Sequence, residues 1–165
     1  MTSEHLLHTI PPIYDRNSKI LILGSFPSVK SREVSFYYGH PQNRFWRVLA
    51  AVLGCAVPSS NEEKTALLQS HNIALWDVIK SCDIVGSSDS SIKNVVPNDI
   101  GTILSSCGIR QIYSNGKTSE KLFNKYIKDT VGRDTVALPS TSPANASYNL
   151  ERLTDSWSVI KNNIR

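Results

Sequence analysis

Ile20-Leu21-Ile22-Leu23 is a continuous apolar run closed by Gly24. An apolar run without polar alternation describes a strand covered on both faces, and such strands belong to parallel sheets whose crossover helices cover both surfaces. The rest of the chain supplies the crossovers. Arg44 to Leu53 places Phe45, Val48, Leu49 and Val52 at helical spacing with Gly54 as C-cap, and Glu62 to Ser70 is a second helical stretch. Ile73 to Ile79, centred on Ala74-Leu75-Trp76, reads as the next strand, Asp99 to Ser106 as a helix, and Gln111 to Ser114 as a strand ending at Asn115-Gly116. A helix over Ser119 to Lys128, a last strand over Thr135 to Leu138 and an amphipathic helix over Glu151 to Asn162 complete the series. The alternation predicts a three-layer α/β/α fold around a central, mostly parallel sheet of about four strands. Residues 1–18, with Pro11, Pro12 and Asn17, lack periodicity and read as an extended N-terminal arm, and Ser81 to Asn98, rich in Ser, Asp and Gly, as a long loop.

At 165 residues, with 40% hydrophobic and 19% charged residues, one globular domain is expected, with no internal repeat. No apolar run approaches a membrane span and the N-terminus lacks a signal-peptide core, so an intracellular protein, cytoplasmic (nucleoid-associated) or nuclear, without membrane contact is expected. Cys55, Cys82 and Cys107 are odd in number and widely spaced, which argues against disulfides and against a metal site; all three read as small buried residues, and no cofactor is expected. The net charge of +4 favours a polyanionic partner only mildly, because the Lys and Arg residues are dispersed.

In an open α/β sheet the ligand crevice lies beyond the strand C-termini, so the loops after Leu23, Ile79, Tyr113 and Leu138 should converge. The first is the most informative: Gly24-Ser25-Phe26-Pro27-Ser28, then Phe36-Tyr37-Tyr38-Gly39-His40-Pro41-Gln42-Asn43-Arg44-Phe45-Trp46. Such a density of aromatic, amide and basic side chains suits stacking an extruded base and reading its edge, although aromatics in a loop also simply pack a core. The last loop, Leu138-Pro139-Ser140-Thr141-Ser142-Pro143-Ala144-Asn145-Ala146, offers consecutive hydroxyls that can donate to phosphate oxygens or form an ST-turn. Asn115-Gly116-Lys117-Thr118 lacks the glycine that a Walker motif requires, and Gln111 stands in its place.

A strand closed by a GxxPx turn and followed by HPxNxFW resembles the first motif of the mismatch-specific uracil and thymine glycosylases. The wording GSFPS…YYGHPQNRFW is similar to the hypoxanthine-DNA glycosylase group of the uracil-DNA glycosylase superfamily. LPSTSPANA resembles that group's second motif, the loop that enters the DNA groove, and it follows about 100 residues later in the required order.

The resemblance implies a DNA glycosylase that flips a deaminated base out of double-stranded DNA, hypoxanthine foremost, and hydrolyses its N-glycosidic bond as a monomer. Relatives use an Asn at the third position of the first turn to hold the attacking water; Phe26 stands there instead, and the resemblance moves that role to Asn43, which also reads as an Asx cap of the following helix. Tyr38 falls where relatives stack the base, with Phe26 as a further wall and Tyr37 turned to the core. Asn115 and Asp77 are candidates to hydrogen-bond the base, Asn115 reading equally as a turn residue. Ser25, Ser28, His40, Ser140, Thr141, Ser142, Ala144 and Asn145 are candidates for the DNA phosphates and groove, Ala144 standing where relatives carry a bulkier wedge. No lysine is placed for a Schiff base, which implies a monofunctional enzyme.

Overall fold

A computed structural model describes residues 2–165. In chain order its elements are β1 (Glu4–Leu7), β2 (Ile20–Gly24), α1 (Val29–Val34), α2 (Phe45–Leu53), α3 (Asn61–Ser70), β3 (Ile73–Asp77), β4 (Ile79–Ile84), β5 (Lys93–Pro97), α4 (Ile100–Ser106), β6 (Gln111–Asn115), α5 (Lys117–Tyr126), α6 (Lys128–Val131), β7 (Thr135–Leu138) and α7 (Leu150–Trp157), which runs on into a 3-10 turn over Ser158–Asn162. The central sheet has the order β3-β2-β6-β7, and every neighbouring pair is parallel. Helices flank it on both sides, as the alternation of the sequence predicts.

Strand β2 shows why this fold forms. Its residues are fully buried and their side chains alternate between two cores: Ile20 and Ile22 pack with Val48, Leu49, Leu68 and Trp157, while Leu21 and Leu23 pack with Ile103, Ile112 and Phe123. A strand with an apolar partner on each face can carry no polar side chain, so the sequence reads as a continuous run. Each of these side chains contributes roughly 1.5–3 kcal/mol of burial.

Two segments depart from the sequence expectation. Ser81 to Asn98 is not a loop: β4 and β5 pair antiparallel within it, and β1, inside the N-terminal arm, pairs antiparallel with β4 through Glu4↔Ile84 and Leu7↔Ser81, giving a second sheet β1-β4-β5. This sheet lies at the surface, much of β1 and β5 is exposed, and its ladder shifts register at Ser81 and Asp83, so it carries neither a clean apolar alternation nor an unbroken run. Pairing with a distant strand, rather than local propensity, makes these residues extended. The arm also caps the edge of the main sheet, where Ile13 and Leu75 exchange both backbone hydrogen bonds at 2.9 and 2.8 Å.

The apolar run at Ile73 is divided at Val78, whose N–H donates to the Gly24 carbonyl, so that β3 and β4 enter different sheets. The short helix α1, which has no long periodic stretch to announce it, is capped by Ser28. Of the cysteines, Cys82 is buried and Cys107 half-buried, but Cys55 is exposed, against expectation. Gly54 terminates α2 in the left-handed conformation and turns Cys55 away from the core. Among the described residues no helix is long and apolar enough to cross a membrane.

Candidate active site

From β2 the chain moves to β3 on one side and only later to β6 on the other, which makes the C-terminal ends of β2 and β6 a topological switch point. A cavity of about 170 Å³ opens there, between the loop after β2, the ends of β3 and β6 and the loop after β7. An engineered apolar cavity of about 150 Å³ holds benzene, so this partly open space is in the size range of a small planar base. Phe26, Tyr38, Asn43, Asp77, Asn115 and Thr141 all line it.

One wall is a closed circuit of amides and a hydroxyl. Thr141, fully buried, donates from Oγ1 to Asn43 Oδ1 at 2.9 Å, accepts from Asn115 Nδ2 at 3.0 Å, and donates its backbone N–H to Asn115 Oδ1 at 3.0 Å. Asn43 Oδ1 also accepts from the N–H of Phe45 at 3.0 Å. The Asx cap and the site role expected of Asn43 are therefore borne by one atom. With both lone pairs of Oδ1 engaged, its orientation is fixed, and Nδ2, which has no partner among the described residues, is the face offered to a ligand.

Tyr38 stacks on Phe45 with ring centroids 4.1 Å apart, so one face of its ring is covered by the core. Its φ of 53° lies in the left-handed region, which bulky residues rarely adopt, and its hydroxyl is buried without a hydrogen-bond partner among the described residues. Burial first, and the nearby Asp77 carboxylate second, push the Tyr38 phenol far above its ordinary pKa, so it remains an O–H donor. Tyr37 is buried as expected; its hydroxyl donates to the carbonyls of Ile10 and Pro11, tying the arm to this loop. Phe26 is half-buried at the cavity wall, edge-on to the His8 ring.

The candidate phosphate contacts divide. His40, in the first motif loop, and Ala144, in the second, are both exposed. Ser140 and Ser142 accept from the N–H groups of Ser142 and Ala144, an ST-turn arrangement that leaves each hydroxyl proton available. Asn145 Nδ2 braces the loop through the Ser140 carbonyl. Three residues depart from the phosphate role. Thr141 is wholly buried as the hub of the circuit and cannot reach a phosphate. Ser28 caps α1 by accepting from the Ser31 N–H. Ser25 Oγ faces the Asp89 carboxylate at 3.5 Å, a neighbour that repels a phosphate.

The sequence reading missed two residues. Arg44 holds the two motif loops together, its guanidinium donating to the carbonyls of Thr141, Ser142 and Asn145 and to that of Tyr148. His8, from the arm, donates from Nε2 to Asp77 Oδ2 at 2.8 Å, with both side chains almost fully buried. Neither carries a local signal, since their partners lie about 100 and 69 positions away. Among the described residues no group of three or more His, Cys, Asp or Glu side chains converges as a metal site would require.

Comparison with known proteins agrees with this geometry. The chain is 36% identical over 137 residues, 82% of its length and 85% of the relative's, to a protein of Methanosarcina barkeri (strain Fusaro / DSM 804) named Hypoxanthine DNA glycosylase. A protein of the same name from Methanosarcina acetivorans is 34% identical over 152 residues, covering 91% of this chain and 94% of the relative. A solution NMR structure from Methanosarcina acetivorans, given as that of a candidate uracil DNA glycosylase, superposes with a TM-score of 0.79 at 33% identity, over 92% of this chain and 94% of the other. The sequence model of the family described as Uracil DNA glycosylase superfamily matches residues 11–162, and with the ring-sized cavity at the switch point and both motif loops around it, the chain belongs to that superfamily.

Proposed function

We propose that this chain is a DNA glycosylase that hydrolyses the N-glycosidic bond of deaminated bases, with hypoxanthine as its principal substrate. The observation that carries the reading is the ring-sized cavity walled by Phe26 and Tyr38 and fitted with amide donors, in a chain whose relatives bear the name hypoxanthine DNA glycosylase. The protein acts as a monomer on double-stranded DNA, in the compartment that holds the genome.

Flipping a nucleotide costs a few kcal/mol, roughly, and least for a weakened pair, which already favours a deaminated base. The rim residues His40, Ser140 and Ser142 hold the backbone, and the second loop presents Ala144 to the space left in the stack. The departing sugar becomes oxocarbenium-like, so the water that meets it needs position more than nucleophilic strength. Asn43 supplies position, with Oδ1 anchored by Thr141 and Phe45 and Nδ2 free to donate to the water oxygen. Asn115 has one further Nδ2 proton for the leaving base, whose growing negative charge a donor stabilises. No lysine lines the cavity among the described residues, which favours a monofunctional enzyme that leaves an intact abasic strand.

A panel of duplexes carrying hypoxanthine, uracil, xanthine or a thymine mismatch tests this. Expected is fastest release from the hypoxanthine duplex, with strand scission only after alkali. Release of uracil alone would replace the substrate with that of a uracil glycosylase of the same fold. Tight binding with no release of any base would leave a non-catalytic DNA-binding module.

A further inference from the structure

Beside the amide circuit, the cavity has two further groups whose hydrogen-bonding capacity is not used within the protein. Asp77, 4% exposed at the end of β3, has Oδ2 occupied by His8 and its backbone carbonyl by Asn98, while Oδ1 has no hydrogen-bond partner among the described residues. The Tyr38 hydroxyl is buried, with Asn115 near its oxygen and no acceptor for its proton among the described residues. Both crowd one point: a Cβ added to Gly24 would lie 2.3 Å from Asp77 Oδ1 and 3.0 Å from the Tyr38 oxygen. An acceptor that lines the cavity and a buried donor thus stand close together where a planar base can enter. Leaving such groups unmade is costly, so their partner is supplied by what enters.

We infer that Tyr38 and Asp77 together read the lactam edge that deamination creates, with Asp77 held in place by His8 of the N-terminal arm. Adenine presents an acceptor at N1 and an amino group at C6; its deamination product hypoxanthine presents an N1–H donor and a C6 carbonyl. Cytosine and uracil differ in the same sense at N3 and C4. A carboxylate oxygen accepts and cannot donate, so Asp77 Oδ1 pairs with the N–H of the deaminated base and meets the parent base acceptor to acceptor. The Tyr38 O–H donates to the adjacent carbonyl. A flipped nucleotide stays tethered at its sugar, so the deepest groups meet the edge of the base rather than C1′.

Each group has a separate task. A carboxylate beside a base that gains negative charge opposes its departure, so Asp77 contributes selection, whereas the Tyr38 hydroxyl, a donor to the carbonyl, also stabilises the leaving base. His8 is a positioning residue: its N–H fixes Oδ2 and draws off part of the carboxylate charge, which leaves Oδ1 aimed past Gly24. The arm is in this way part of the base pocket, fastened by β1, by the Ile13–Leu75 bridge and by the Tyr37 hydroxyl.

This inference rests on the glycosylase reading, and single-turnover rates on three synthetic duplexes separate the two. The duplexes carry hypoxanthine, 1-deazahypoxanthine (C–H in place of N1–H) and unsubstituted purine, which lacks the carbonyl. The wild-type protein is expected to prefer hypoxanthine over the 1-deaza analogue at least tenfold. Asp77→Ala brings that preference to within about twofold, by slowing hypoxanthine release and by removing the carboxylate that opposes departure of the 1-deaza base. His8→Ala lowers the preference in the wild-type background and has no further effect on it when Asp77 is already Ala. Tyr38→Phe, which keeps the ring and its stacking, slows hypoxanthine release about tenfold more than it slows purine release. Equal losses on all three duplexes, or an unaltered preference in Asp77→Ala, overturn the assignment while the glycosylase reading stands. Absence of hypoxanthine release by the wild-type protein overturns both.

Discussion

The two walls of the cavity are built on opposite principles. The wall formed by Asn43, Thr141 and Asn115 is internally satisfied: Thr141 uses its hydroxyl and its N–H within it, Asn43 Oδ1 is doubly bonded, and Arg44 ties the loop behind it. The wall formed by Asp77 and Tyr38 keeps an acceptor and a donor open in a buried place. The difference separates rigidity from recognition. Groups that position must have their own geometry over-determined, whereas groups that select must be left wanting, at a cost of about 1–3 kcal/mol each until a ligand arrives.

Four substitutions bear on that contrast. The largest effect is expected for Asn43→Ala, which removes the donor that the closed wall presents: single-turnover base release should fall about 100- to 1,000-fold, with about 1 kcal/mol lost from the α2 cap in thermal unfolding. A rate within tenfold of wild type would move water positioning to another group. Next is Arg44→Met, which keeps much of the side chain's length but strips the carbonyls of the second loop of their common donor. Urea unfolding should show a loss of about 3 kcal/mol, and proteolysis should cut the loop after Ser142; an unchanged midpoint would mean that the closed wall holds itself together without Arg44.

Thr141→Val is nearly isosteric and removes only the hub hydroxyl. About 2 kcal/mol of stability and roughly tenfold in rate should be lost, because Asn43 and Asn115 each lose a partner in a buried place. If stability falls and the rate does not, the circuit is a structural brace rather than a positioning device. The smallest effect is expected from Gly24→Ala on the open wall, where the new methyl displaces Asp77 Oδ1. The extended backbone accepts alanine, so the stability cost, about 1–2 kcal/mol, comes from displacing the Asp77 carboxylate that His8 holds, while discrimination between hypoxanthine and adenine in duplex DNA narrows several-fold. Unaltered discrimination would argue against Asp77 as the reader.

The apolar run and the helical spacing set the central sheet and brought the candidate residues to its strand ends. Ile20 to Leu23 could only be a strand covered on both faces, helical spacing in Phe45 to Val52 placed α2, and the polar loops at the strand ends fell at the switch point because that is where an open parallel sheet exposes its crevice. Asn43, Asn115 and Thr141 were legible as loop residues of the right chemistry, although only the structure moved Thr141 from the phosphates to the hub. Only folding reveals the outer sheet and the pairing of His8 with Asp77, although Tyr38 and Asp77 were already legible as candidates to meet the base. Local sequence encodes burial and periodicity, and β1, β4 and β5 have too little of either to be seen before they pair, β1 with β4 across roughly 80 positions and β4 with the nearby β5. The His8–Asp77 pair and the Arg44 clamp are of the same kind: a single polar side chain in a loop or arm carries no periodic signal, and its meaning lies in a partner that only the folded chain brings within hydrogen-bonding distance.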